Sequence, residues 1–305
     1  MVRATLQLLK RNFLIFIRDR GAVFFSILSM LIVLALMILF LGDMNSQDIV
    51  EILDRAGGKR DAARDKANAQ YLIQMWVLAG ILIVNSITVT MTVMGNMVKD
   101  ESAKRLAGFY VAPVKRIQIA LGYILAAWAL GTFLCLVTLL AGEGYMLLTG
   151  HELLPVSSLC KLTGMIVLNT FVYAAIAYLI ALFVHSDSAW GGLLTVVGTL
   201  VGFVGAIYLP MSVLPEKVAE VLKYLPVLHG AAMMRIVCVE DALAETFAGL
   251  PEEAADIFKE SMGISIIIDG SEVSFGAQFC YLLLLGLAVT AAAALITRKR
   301  MLNER

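Results

Sequence analysis

"KDESAKRLAGFYVAPVKR", residues 99–116, carries five basic and two acidic groups between long runs that carry none. The flanking runs, 67–98 and 117–142, each exceed the about 20 apolar residues that cross a bilayer as a helix. Further charge-free runs cover 21–42, 162–186, 188–215 and 273–297. The chain therefore reads as six spans, at about 21–42, 71–98, 117–142, 162–185, 189–209 and 274–297. Composition agrees: 60% of the 305 residues are hydrophobic, 16% are charged, and the mean hydropathy is +0.86. A soluble domain carries about 25% charged residues. No period-two alternation suggests a barrel, and lipid offers an open backbone no partners, so the spans are helices. The expected fold class is an all-α membrane protein, a single domain over 1–305.

Lysine and arginine orient such a chain, because cytoplasmic loops retain them. An even span number puts both termini on one side. With that side in the cytoplasm, segments 1–20, 99–116, 185–189 and 298–305 hold 14 of the 24 basic residues and five of the 24 acids. The outer segments keep ten basic and 19 acidic groups. The charged interruption at 99–116 is thus a cytoplasmic link, and the protein is expected in a cell membrane, the inner or plasma membrane, with both ends inside. Arg55, Lys59, Arg60, Arg64 and Lys66 in the first outer loop run against this bias, accompanied by acids. The first apolar run is too long for a signal peptide and lacks a small-residue cleavage site.

The sequence contains no GxxxxGK[ST], HExxH or GxSxG, and "GGKR" at 57–60 lacks both the earlier glycine and the hydroxyl of a phosphate loop. His151, His185 and His229 stand in separate links, and Cys135, Cys160, Cys238 and Cys280 show no zinc spacing. Pairing of Cys238 with Cys160 or Cys280 stays open. No metal, no catalytic residue and no nucleic-acid partner is expected. The spans also lack a central carboxylate, histidine or lysine, which an ion-coupled carrier would need to bind and release its ion.

Three features suggest what the spans do. In the second span Asn85, Thr88, Thr92 and Asn96 recur at helical spacing beside Met91. They read either as the wall of a substrate path or as hydroxyls and amides satisfying nearby carbonyls and helices. In the fifth span Gly198 and Gly202 form a GxxxG among other glycines, a helix-packing face whose partner is undecided, and Thr195 and Thr199 lie within it. At the start, "VRATLQLLKRNFLIFIRDR" (2–20) is amphipathic, suited to lying on the inner membrane surface.

In the opening stretch Ala103, Leu106, Phe109 and Tyr110 share one helical face, and Pro113 ends the helix. A helix this short is marginal in water, so its apolar face calls for a partner protein, the lipid surface or the chain's own spans. Residues 210–273 open with "YLPMSVLPEKVAEVLKYLPVLHGAAMMR", where Pro210, Pro215 and Pro226 cut apolar sequence into pieces that suit a segment re-entering the outer leaflet.

At this point the chain resembles the permease subunits of ABC-2 type ABC exporters. Three segments carry the likeness: the amphipathic start running through "RDR", "KDESAKRLAGFYVAPVKRIQIALGYILA", and the proline-broken stretch after the fifth span. The resemblance implies two permease copies, identical or not, around a central path, with two copies of a separate ATP-binding subunit that carry the ATP and magnesium. It implies a coupling helix at about 100–112 in which Glu101, Lys104, Arg105, Leu106, Phe109, Tyr110 and Pro113 meet the ATPase, flanked by Arg18, Asp19 and Arg20. It further implies a path lined by Asn85, Thr88, Met91, Thr92, Asn96, Thr195 and Thr199. The outer segment of about 60 residues is long beside the simplest polysaccharide-moving members, and no carbohydrate-stacking patch marks the path. The expected cargo is a drug, peptide or lipid-like molecule, as in multidrug export. The alternative is a membrane-embedded structural, immunity or sensing subunit that moves nothing.

Overall fold

The computed structural model describes residues 2–36, 49, 50, 53, 61–106 and 114–300. Two helices open it, α1 (Val2–Arg18) and α2 (Arg20–Leu36), meeting at Asp19. Then come α3 (Ala62–Ser102), α4 (Arg116–Leu148), α5 (Val156–Ala181) and α6 (Asp187–Val204). The remainder comprises α7 (Glu216–Leu222), α8 (Pro226–Thr246), α9 (Glu252–Ser261) and α10 (Phe275–Arg300). A two-residue hairpin pairs β1 (Ile267–Ile268) with β2 (Ser271–Glu272) across Asp269–Gly270, both at positive φ as such a tight turn requires.

Five described helices, α3 to α6 and α10, are long and apolar enough to cross a membrane. The expected first span, 21–42, is described as far as Leu36, and residues 37–42 lie outside the described residues. The chain is an all-α membrane protein that crosses the bilayer several times.

Helix α3 is the axis of the bundle. Helices α4, α5, α6 and α8 all pack on it, and between Leu72 and Val98 nearly every side chain is buried. It starts nine residues before the expected span, because Asp61 caps it by accepting from the N–H of Ala63 (3.0 Å) and Arg64 (3.4 Å). The polar stretch before the span is therefore continuous with it. Gly80 and Gly95 allow α6 to approach closely: a methyl at Gly80 would come within 2.7 Å of Ile207, and one at Gly95 within 3.0 Å of the Trp190 indole. These two contacts fix an antiparallel register between α3 and α6.

Helices α7 and α8 meet at 81° across a three-residue break. The break follows from Pro226 at the start of α8, whose ring cannot continue a helix from the preceding turn. From α10 the Tyr281 hydroxyl donates to Tyr224 O in the break (3.0 Å). All four cysteines are free thiols, so no pairing joins Cys238 to Cys160 or Cys280.

Candidate functional site

At the end of the bundle where the basic segments gather, α3 stops three residues into the expected coupling helix. Lys104 N–H donates to Glu101 O and Arg105 N–H to Asp100 O (2.9 and 2.8 Å), with Lys104 left-handed at φ 56°. This is a Schellman stop with lysine where glycine is usual. Helical geometry resumes at Leu106, and residues 107–113, with Phe109, Tyr110 and Pro113, lie outside the described residues. A coupling helix beginning at Asp100 is thus replaced by a helix end, a turn at 103–105 and a restart. The cause is local: both terminal carbonyls find their donors in the turn rather than in a continuing helix.

Asp100 is the centre of this end. Its carboxylate is buried and accepts from Arg11 Nη1 (2.8 Å) and from the Tyr123 hydroxyl (2.7 Å), with Arg105 Nη1 at 3.5 Å. It therefore joins α1, α3, α4 and the turn. Beside it Glu101 Oε1 lies 3.0 Å from His185 Nδ1 in the α5–α6 link. Lys104 and Arg105 are exposed, as are Arg18, Asp19 and Arg20 at the α1–α2 junction. Leu106 is buried in the chain's own core, so the expected Leu–Phe–Tyr docking face does not include it as an exposed member. Helix α1 turns Leu8, Asn12 and Phe16 inward, with Leu8 over Gly122 of α4, and leaves Leu6 and Ile17 exposed. That inward stripe is rotated by about one residue from the apolar face read in the sequence.

The second-span stripe divides. Asn85 is buried and donates to Thr138 Oγ1 of α4 (3.0 Å), so it binds the bundle together. Met91 is likewise buried and offers no wall to a path. Thr88, Thr92 and Asn96 are half-exposed along one edge of α3. Thr88 Oγ1 donates to Val84 O and Thr92 Oγ1 to Thr88 O, so their hydroxyls satisfy their own helix. A drift of about 20° per seven residues rotates Asn85 off the edge on which Thr92 and Asn96 lie.

On α6, Thr195 and Thr199 are exposed, with hydroxyls donating to Gly191 O and Thr195 O. A side chain on Gly191, Gly192 or Gly198 would meet nothing within 4 Å, whereas Gly202 packs on the Tyr208 ring of the same chain. The GxxxG pair is therefore split between an internal contact and an open face. The α3–α6 register puts Thr195 and Thr199 level with Thr92 and Thr88.

The other end holds what the sequence reading missed. Arg235, in α8, is fully buried. Its Nη2 donates to Gly205 O (3.0 Å) and Ala206 O (2.7 Å), and its Nη1 to Gly263 O (3.0 Å). The guanidinium lies 4.6 Å from the centre of the Trp76 ring, a cation–π distance. Trp76 Nε1 in turn donates to Met262 O (2.9 Å). No carboxylate among the described residues pairs with Arg235. Its signal in the sequence was a lone basic residue between Lys223 and Lys259 within an apolar run.

The arrangement defines a multi-pass helical membrane subunit with a charged elbow at one end and a weakly polar strip along two neighbouring spans. Residues 60–296 match the family described as ABC-2 family transporter protein, and the chain belongs to that family. It is the membrane-embedded permease component of an ABC transporter, in a family that normally pairs with an ABC ATP-binding subunit. A search of curated proteins finds no match.

Proposed function

We propose that the chain is the permease of an ATP-driven exporter, working with a second permease copy and two ATP-binding subunits, with both termini in the cytoplasm. One observation carries this reading. The half-exposed edge Thr88–Thr92–Asn96 and the open face Gly191–Thr195–Gly198–Thr199 stand level on adjacent helices, and no charge interrupts them. Their hydroxyls are self-satisfied, so the strip presents weak polarity at little desolvation cost. That suits a cargo with a large apolar part, such as a drug, peptide or lipid-like molecule. A second copy facing the strip would close it into a path.

The exposed turn Lys104–Arg105, with Glu101 beside it and the Arg18–Arg20 junction nearby, is the surface offered to the ATP-binding subunit. Because Asp100 ties α1 to the end of α3 and to α4, a push on the turn moves three helices together. ATP and magnesium belong to the partner chain in this reading.

The test is transport in proteoliposomes containing the permease and its ATP-binding subunit. Replacing Thr92 and Thr199 by tryptophan should obstruct the path and reduce cargo movement at least tenfold, with co-purification of the ATP-binding subunit unchanged. Undiminished transport by the double variant would refute the path assignment.

A further inference from the structure

Helix α6 is held at its two ends and open between them. Trp190 is buried at one end, Val201 to Ile207 are mostly buried at the other, and 191–200 contains no buried residue. The second end stops at Gly205, with Ala206 left-handed at φ 50° and Ile207 N–H returning to Gly202 O (2.8 Å). A helix terminus leaves carbonyls without partners and carries partial negative charge. Here the two carbonyls at the stop, Gly205 O and Ala206 O, both go to one nitrogen of Arg235.

We infer that Arg235 is a positioning residue of the transport cycle: a latch that fixes the outer end of α6 by carrying Gly205 O and Ala206 O on Nη2 and Gly263 O on Nη1. This rests on the exporter reading for its role and on the hydrogen bonds for its existence. The chemistry distinguishes a latch from a permanent rivet. All three acceptors are neutral carbonyls, so no ion pair has to be broken when one set is released. Nη1 and the Trp76 ring retain the guanidinium on the α3 and 262–263 side while Nη2 lets go. Nε is buried without an acceptor, a donor in reserve for a second arrangement. The planar fork matters, since it serves two chain segments at once; a lysine ammonium can follow one but loses the geometry and the stacking.

The experiment measures spin-label distances in the full chain, in nanodiscs with its ATP-binding subunit, after replacing the exposed thiols Cys160 and Cys280 by serine. One label pair, at Phe203 and Glu260, reports the outer end of α6; another, at Gly191 and Ser102, reports its inner end. Arg235→Met should broaden the outer distance distribution, leave the inner one unchanged, and lower cargo moved per ATP hydrolysed about tenfold or more, as loss of two charge-assisted hydrogen bonds implies. Arg235→Lys, which keeps charge and most of the volume, should lie between the two and covers the case in which the methionine variant fails to fold. An unchanged outer distribution in both variants, or equal broadening at both ends, would overturn the latch. A wild-type complex that moves no cargo, combined with selective outer broadening, would defeat the exporter reading while leaving the latch standing.

Discussion

Two buried charges anchor opposite ends of the bundle, and they are satisfied in opposite ways. Asp100 meets a cation, Arg11 at 2.8 Å, and a phenol, with Arg105 close by. Arg235 meets three backbone carbonyls and an indole face. The Asp100 cluster opens to solvent, since the side chains of Arg11 and Arg105 are 31% and 66% exposed. Water can take over part of what the carboxylate supplies there. At Arg235 it cannot. An ion pair at a wet edge is adjustable, whereas a cation among carbonyls in a dry interior either keeps its partners or strands them.

The sharpest way to break this comparison is to remove each charge and measure thermal unfolding in detergent. Arg235→Ala strands Gly205 O, Ala206 O and Gly263 O and empties the space over Trp76. Each unmet buried acceptor costs about 1–3 kcal/mol, so the loss should be about 3 kcal/mol or more. Asp100→Asn keeps the shape and an acceptor for Tyr123 but removes the charge facing a half-exposed Arg11. Its cost should be about 1–2 kcal/mol. If Asp100→Asn proved the more damaging of the two, the contrast between wet and dry anchors would fail.

The two anchors were not equally legible. The segment holding Asp100 announced itself as charge between apolar runs, and the topology followed from it. What remained hidden was that Asp100 faces inward, because its partners Arg11 and Tyr123 come from distant segments that no local period connects. The same reason hid Arg235, whose acceptors are backbone atoms about 30 residues away on either side and leave no side-chain signature. Helical spacing put Asn85 on one face with Thr92 and Asn96, but tertiary packing turned it to Thr138. Glycine spacing found the open face of α6 but not that Gly202 is used internally by Tyr208. Spans were readable because lipid imposes one rule on every residue of a run; contacts between spans depend on rotation, which a run of apolar residues does not encode.

The smallest predicted effect separates the two ends most finely. Both anchors sit beside a helix stop in which a non-glycine residue is left-handed, Lys104 at φ 56° and Ala206 at φ 50°. That conformation costs an ordinary residue roughly 1 kcal/mol relative to glycine. Lys104 is exposed and, in these stops, gives up little when its side chain goes, so Lys104→Gly should raise stability by about 0.5–1 kcal/mol. Ala206 is fully buried in the small cluster with Leu222, Leu228, Ala232 and Ile266. Removing its methyl loses about 0.8 kcal/mol of burial, which offsets the relief of strain, so Ala206→Gly should be close to neutral. Equal gains at both positions in thermal unfolding would mean that the methyl of Ala206 contributes nothing to the dry anchor, and that the outer stop is as loosely packed as the exposed one.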